Sequence, residues 1–309
     1  MNKNKLKGNL LLLVTAMGWG SGFAIRKLGT EMIPPMTFNA LRELLGAVFL
    51  LPLLFVTLKK SGYLSRQGNS ISTLEHRRRR AVKAGALCGI LFTAASMAQS
   101  LGLATSTAGK SGFITSMYVV LTPFAARLFG TKIQKKSIVC IFLAAIGFAL
   151  LSLKGGIGSI QRGDVLLLIG ALFFALHIAV VGMVIDKGNG LLIAVIQMVF
   201  LGIVGLGVSI PIEHPTFNQF IQCIPALILC AFVTCTVANT AQIIGQQYTD
   251  ATSAALILGL ESVFSVVFGV VILGEMLSPR EILGCLVIFG AVIYHQVDLR
   301  IIKRKKLFD

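Results

Sequence analysis

Residues 190–211 read GLLIAVIQMVFLGIVGLGVSIP, an uncharged run in which Gln197 and Ser209 are the only polar side chains. The hydrocarbon core of a bilayer takes about 20 apolar residues per helix, so this stretch is long enough to cross it. Comparable stretches recur in both directions: 8–28, 36–58, 82–104, 107–129, 135–153 and 163–185 before it, 222–246, 251–273 and 281–299 after it. Composition agrees. The chain is 55% hydrophobic and 13% charged, where a soluble domain carries about 25% charged residues, so a soluble fold is excluded. The alternating ten-residue segments of an outer-membrane barrel are absent. The expectation is an all-α membrane protein with ten transmembrane helices. The longest break, 59–81, leaves no room for a further domain.

The net charge of +16 would suit nucleic acid, but its placement points elsewhere. With the N-terminus inside, the cytoplasmic stretches 3–7, 59–83, 127–136, residue 187 and 300–306 hold 21 of the 28 basic residues, including Arg77 to Arg80. Arg26, Lys27, Lys154, Arg162 and Arg280 fall on the other side, and Arg42 and Lys110 fall within spans. That asymmetry is the positive-inside rule, so the basic runs are read as anchors beside anionic headgroups and no nucleic-acid partner is expected. The chain is placed in the cytoplasmic membrane as a multi-pass protein with both termini cytoplasmic. Met1–Lys7 resembles the start of a signal peptide, but the apolar run after it is too long, and it is expected to open the first helix. The six cysteines are scattered in or beside spans without metal-ligand spacing, and neither a metal site nor a cofactor is expected.

The chain also repeats itself. Lys7-Gly8-Asn9 and Arg162-Gly163-Asp164 each open an apolar run, and Thr122-Pro123-Phe124 in the fourth span corresponds to Glu261-Ser262-Val263 in the ninth. These follow starts at Ser106-Thr107-Ala108 and Asp250-Ala251-Thr252. Two halves are expected, 1–154 and 155–309, of five spans each. Because five is odd, the second half enters the membrane inverted, which implies a central cavity between halves.

Gly18-Trp19-Gly20-Ser21-Gly22-Phe23, Arg42, Ser106-Thr107-Ala108-Gly109-Lys110-Ser111-Gly112-Phe113 leading to Thr122-Pro123, and Gly259-Leu260-Glu261-Ser262-Val263-Phe264 running to Leu273-Gly274-Glu275 resemble the EamA-type drug/metabolite transporter superfamily over nearly the whole chain. The resemblance implies two inverted five-helix repeats around a central cavity and alternating access, often for export, with amino acids and their metabolites as the substrate class. This sequence departs from the pattern at Gly130-Thr131-Lys132, where many members have Gly-Glu, and at Ser262, where a proline is frequent. The missing proline is expected to leave the ninth helix less bent.

Polar groups at membrane depth are the candidate site, because they are costly there and face a cavity or a partner. Arg42 can clamp an anionic substrate group or pair structurally; the adjacent Glu43, on a different helix face, is not expected to be its partner. Lys110, at the mouth of the fourth span, can snorkel or bind substrate. Glu261, near the midplane, can couple transport to protons or tie its helix to a neighbour, and His177 can join such a relay or be a satisfied hydrogen-bonding group. Gln99, Gln197, Asn239 and Gln242 can recognise a small zwitterionic or hydroxylated substrate, or bond between helices; the spacing of Asn239 and Gln242 puts both on one face. Trp19 and Tyr118, with Phe23, can form an aromatic wall or simply pack. Glu275, Arg280 and Glu281 are read as interface anchors.

Function classes separate on what is missing. No P-loop marks an ATP-driven pump, no ring-forming filter marks a channel, and no Ser-x-x-Lys or HExxH constellation marks an enzyme. The reading is a secondary transporter of a small molecule, embedded in lipid and open to proton coupling, with a non-transporting receptor or scaffold of the same fold, or a carrier of nucleosides, sugars or drugs, as the alternatives.

Overall fold

Hydrocarbon offers the backbone no water to bond, so an open apolar chain there must close its hydrogen bonds within helices. The computed structural model of the chain describes residues 3–60, 71–131, 133, 135–152, 161–185, 190–274, 276 and 278–296, and these form helices with no strand among them. They are α1 (Lys3–Thr30), α2 (Pro35–Lys60), α3 (Ile71–Ala104), α4 (Ala108–Thr115), α5 (Tyr118–Leu128), α6 (Lys135–Ser152), α7 (Arg162–Val184), α8 (Gly190–Glu213), α9 (Phe217–Cys230), a π-helical segment (Ala231–Asn239), α10 (Thr240–Gln246), α11 (Ala251–Leu258), α12 (Glu261–Leu273) and α13 (Pro279–Gln296). Arg66, Lys132, Lys154, Lys187, Glu275 and Arg300 to Lys306 lie outside the described residues.

Seven stretches among the described residues are long and apolar enough to cross a bilayer: Lys3–Thr30, Pro35–Lys59, Arg78–Ala104, Arg162–Val184, Gly190–Glu213, Phe217–Gln246 and Ala251–Leu273. The other three expected spans are shorter. Region 107–129 divides into α4 and α5, 135–153 is α6, and the apolar part of α13 is Ile282–His295. Large apolar side chains face outward along these helices, among them Phe55, Phe142 and Val271, as a lipid environment allows. The linker expected over 59–81 is shorter than its sequence suggested. Its second half, including residues 77–80, is already helical, because arginine is a good helix former and needs no apolar surroundings to be one.

α1 runs through the middle of the bundle, against α12, α10 and the π segment, while α2 packs on α8, α3 on α7 and α8, and α6 on α13. Its glycines explain the central position. A Cβ at Gly18 would meet Ala238 at 2.8 Å, one at Gly22 would meet Thr234 at 2.5 Å, and one at Gly20 would meet Phe264 and the backbone of Glu261 and Ser265. The glycine-rich stretch is therefore the surface on which the π segment and α12 rest.

Two helices are interrupted in the same way. Thr107 caps α4 through the amide of Lys110, and Asp250 caps α11 through the amide of Ser253; each capped helix runs eight residues, stops for Ser116-Met117 or Gly259-Leu260, and resumes as α5 or α12. α4 lies against α12, and α5 against α11. Counted from the caps, Tyr118 rather than Thr122 occupies the place of Glu261, one turn earlier than the sequence comparison had it. The ninth span is interrupted before α12, at Gly259-Leu260, although Ser262 stands where a proline is frequent. No proline is needed, because Ser262 Oγ donates to the Gly259 carbonyl at 2.8 Å and Ser265 Oγ to the Ser262 carbonyl at 2.8 Å. Such local bonds bend helices.

Candidate functional site

The interruptions and the π segment converge on a buried cavity with an empty volume of about 410 Å³, counting its open mouth. α1 supplies Trp19, Phe23 and Arg26; α2 supplies Arg42 and Glu43; α3 supplies Phe92, Ser96 and Gln99. Thr115, Tyr118, Phe174, Thr234, Asn239 and Glu261 complete the wall.

One side is a closed polar network. Arg42 donates to Asn39 Oδ1 from Nε at 3.0 Å and from Nη2 at 2.6 Å, to Thr234 Oγ1 at 2.9 Å and to Ser96 Oγ at 3.4 Å. It also pairs with Glu43, Nη2 to Oε1 at 3.2 Å, which corrects the expectation that neighbours in sequence could not meet: the long arginine side chain folds back over its own helix. The alignment is that of an ion pair rather than a hydrogen bond. Asn239 Nδ2 donates to Glu43 Oε2 at 3.2 Å, and Trp19 Nε1 donates to Asn239 Oδ1 at 2.8 Å. Thr234 and Asn239 are five residues apart. At 3.6 residues per turn they would point apart, and the wider π winding brings both to one wall.

The other side is open. Arg26 Nε donates to the Gly22 carbonyl at 3.2 Å and Nη1 to Gln99 Oε1 at 2.5 Å, and Gln99 Nε2 donates to Thr115 Oγ1 at 3.2 Å. The Arg26 guanidinium lies 4.7 Å from the centre of the Phe23 ring. Glu261, 2% exposed, accepts one long bond from Ser116 Oγ at 3.4 Å. The Tyr118 hydroxyl sits beside that carboxylate without an aligned partner.

Six of the ten sequence candidates therefore meet at the cavity: Trp19, Arg42, Gln99, Tyr118, Asn239 and Glu261. The other four have partners elsewhere. Lys110 Nζ pairs with Asp164 at 2.8 Å, tying α4 to the first turn of α7. His177 Nε2 and Gln197 Oε1 lie 3.0 Å apart and join α7 to α8; the His177 ring stands 5.2 Å from Phe92, whose other neighbours form the cavity wall. Gln242 donates to Gln246, which donates to the Ile178 carbonyl. It thus turns toward α7 while Asn239 turns toward α1 and α2, and the shared face expected for them is broken by the change from π to α winding between them.

Arg26, Ser96, Thr115, Thr234 and the Phe92 and Phe174 rings were not singled out by the sequence. The sequence reading puts Arg26 at the membrane surface, since it stands near the end of the first span. Helical Cα–Cβ bonds tilt toward the N-terminus, so near the C-terminal end of a span a side chain is directed back into the membrane. That rule was the available signal.

The EamA-like transporter family profile matches residues 6–153 and 161–295. An uncharacterized transporter of Archaeoglobus fulgidus is 32% identical over 96% of this chain and 87% of its own. The uncharacterized inner membrane transporter YedA of Escherichia coli K12 is 26% identical over 60% of this chain and 56% of its own. A chain of known crystal structure shares the fold, with a TM-score of 0.66 at 16% identity over 94% of this chain and 97% of that one. With seven bilayer-length stretches, a buried polar cavity and two profile matches covering most of its length, the chain is a multi-pass membrane protein and belongs to the EamA-like transporter family.

Proposed function

We propose that the protein is a secondary transporter that exports a small metabolite, such as an amino acid or a derivative of one, across the cytoplasmic membrane by alternating access. The observation that carries this reading is the cavity: a space in the centre of the bundle, lined by two arginines, two carboxylates, amides and aromatic rings, where lipid-facing side chains would be apolar. Its location at paired interrupted helices is the arrangement in which transporters bind substrate near the midplane.

The same reading gives ten spans in two inverted repeats, 1–154 and 155–309, with both termini cytoplasmic. Support comes from the matched eight-residue helices α4 and α11, their reciprocal packing on α12 and α5, and a profile match to each half. The basic residues concentrated at 77–83 and 127–136 support the orientation. Glu261 is the group to couple flux to protons, because it lines the cavity and its one aligned hydrogen bond among the described residues is the long one from Ser116.

The test is counterflow and uptake in proteoliposomes of purified protein, with labelled amino acids and metabolites, an imposed pH gradient and protein-free vesicles as control. Saturable flux of one compound class is expected, responding to the gradient in the wild type and not in Glu261→Gln. Folded, correctly inserted protein that moves nothing across a broad panel would overturn the reading in favour of a receptor or scaffold.

A further inference from the structure

The two arginines of the cavity are in different states. Arg42 is saturated: its nitrogens are shared among Asn39, Thr234, Ser96 and Glu43. Arg26 is not. It is 6% exposed, its protein acceptors are one amide oxygen and one carbonyl, and among the described residues its Nη2 has no protein acceptor and no carboxylate lies in ion-pair range. A guanidinium is not neutralised by a change of protonation under ordinary conditions, so a buried one that has no carboxylate in direct contact, with Glu261 acting on it across the cavity, favours an anion.

The carboxylates divide the same way. Glu43 is held by Arg42 and Asn239, whereas Glu261 has a 3.4 Å bond from Ser116 and the Tyr118 hydroxyl beside it, and no other aligned donor among the described residues. Arg26 and Glu261 line the same cavity without pairing within it. Between them the wall is aromatic, with Phe23, Phe92 and Tyr118.

We propose that Arg26 and Glu261 are the two poles of the substrate site, Arg26 receiving an anionic group of a small zwitterion and Glu261 its ammonium group, with the apolar part of the substrate on the aromatic wall. Arg42 and Glu43 position the wall and do not touch substrate. This assignment rests on the transporter reading above and narrows it.

The chain carries one tryptophan, Trp19, and it lines the cavity, so its fluorescence reports occupancy directly. L-leucine, isocaproate, which lacks the ammonium, and isoamylamine, which lacks the carboxylate, share one apolar body and are titrated against purified protein. Leucine counterflow is followed in parallel. Leucine is expected to bind roughly ten- to hundred-fold more tightly than either analogue, the range for a hydrogen-bonded charge. Arg26→Gln should weaken leucine and isocaproate by that factor and leave isoamylamine unchanged, and Glu261→Gln should weaken leucine and isoamylamine and leave isocaproate unchanged. Arg26→Lys, which keeps the cation, should restore part of the leucine affinity and guards against a folding defect in Arg26→Gln.

Equal binding of the three probes, or an Arg26→Gln effect equal on leucine and isoamylamine, overturns the two poles. So does saturable flux of neutral or singly charged compounds by a protein that does not bind leucine, which leaves the transporter reading standing. Two-pole leucine binding by folded protein that moves no substrate supports the poles and overturns transport. Neither binding nor flux overturns both.

Discussion

Arg42→Met tests whether the closed network holds the cavity wall in place. The substitution removes the guanidinium joining α2 to Ser96 of α3 and to Thr234 of the π segment. It leaves Glu43, which is fully buried, with only the 3.2 Å bond from Asn239 among the contacts described above, and it takes two donors from Asn39. Removing one partner of a buried ion pair costs about 3–5 kcal/mol. The individual charged hydrogen bonds, at about 1.5–3 kcal/mol each, would sum to more, but they share one guanidinium and do not add. A loss of about 4 kcal/mol is expected. Glu43→Gln keeps an oxygen for Asn239 and removes the stranded charge, so Arg42→Met/Glu43→Gln should be about 1–3 kcal/mol more stable than the sum of the two single losses. The assay is a double-mutant cycle of unfolding in detergent micelles, followed through Trp19, which is bonded to Asn239 at 2.8 Å. A loss under about 1 kcal/mol for Arg42→Met, or no coupling with Glu43→Gln, would refute the reasoning.

Three further outcomes are expected. Gly20→Val should deplete folded protein in fluorescence-detected size exclusion, because its Cβ would meet the Glu261 carbonyl and the Ser265 amide at 2.9 Å, backbone that cannot rotate away; Gly207→Ala, with nothing within 4 Å, should be neutral or slightly stabilising. His177→Phe should leave the pH profile of transport unaltered, since the histidine bonds Gln197 behind the Phe92 wall, while losing about 1–3 kcal/mol of thermal stability by stranding the glutamine. Lys110→Met should cost about 1–3 kcal/mol and leave substrate affinity unchanged, because the lysine is partly exposed but its loss leaves the buried Asp164 carboxylate with the Gln161 amide; a changed affinity would bring Lys110 back to the site.

What could be read from the sequence follows from which forces leave a one-dimensional trace. Apolar length does, and seven helices long enough to cross a bilayer stand where uncharged runs stand. Cap chemistry does as well: Thr107 and Asp250 open α4 and α11 at the positions where the two halves had been compared. Depth in the membrane pointed to Arg42, Gln99 and Glu261. Depth alone could not separate groups that share the cavity from groups that pair behind it, so His177, Gln197 and Gln242 were grouped with residues they do not meet. The direction of a side chain along its helix mattered as much, and neglecting it placed Arg26 at the surface.

The remaining gap has a single physical origin, in that the cavity is built where the backbone leaves α geometry. An unbroken α-helix through 231–239 would turn Thr234 away from Asn239, removing either the oxygen that receives Arg42 or the amide that bridges Trp19 and Glu43. Continuous helices in place of α4–α5 and α11–α12 would carry Ser116, Tyr118 and Glu261 past one another instead of bringing them together at the interruptions. No hydrophobic period announces either departure, since both leave the apolar run intact. Each is stabilised by side chains that take over backbone groups: Thr234 bonds the Cys230 carbonyl at 2.7 Å, and Ser262 bonds that of Gly259. Serine and threonine hydroxyls that donate to a carbonyl three or four residues earlier accompany both departures, but the same bond at Thr15 and Thr57 leaves α1 and α2 continuous, so the spacing supports the elements that position Arg42 and Glu261 without announcing them.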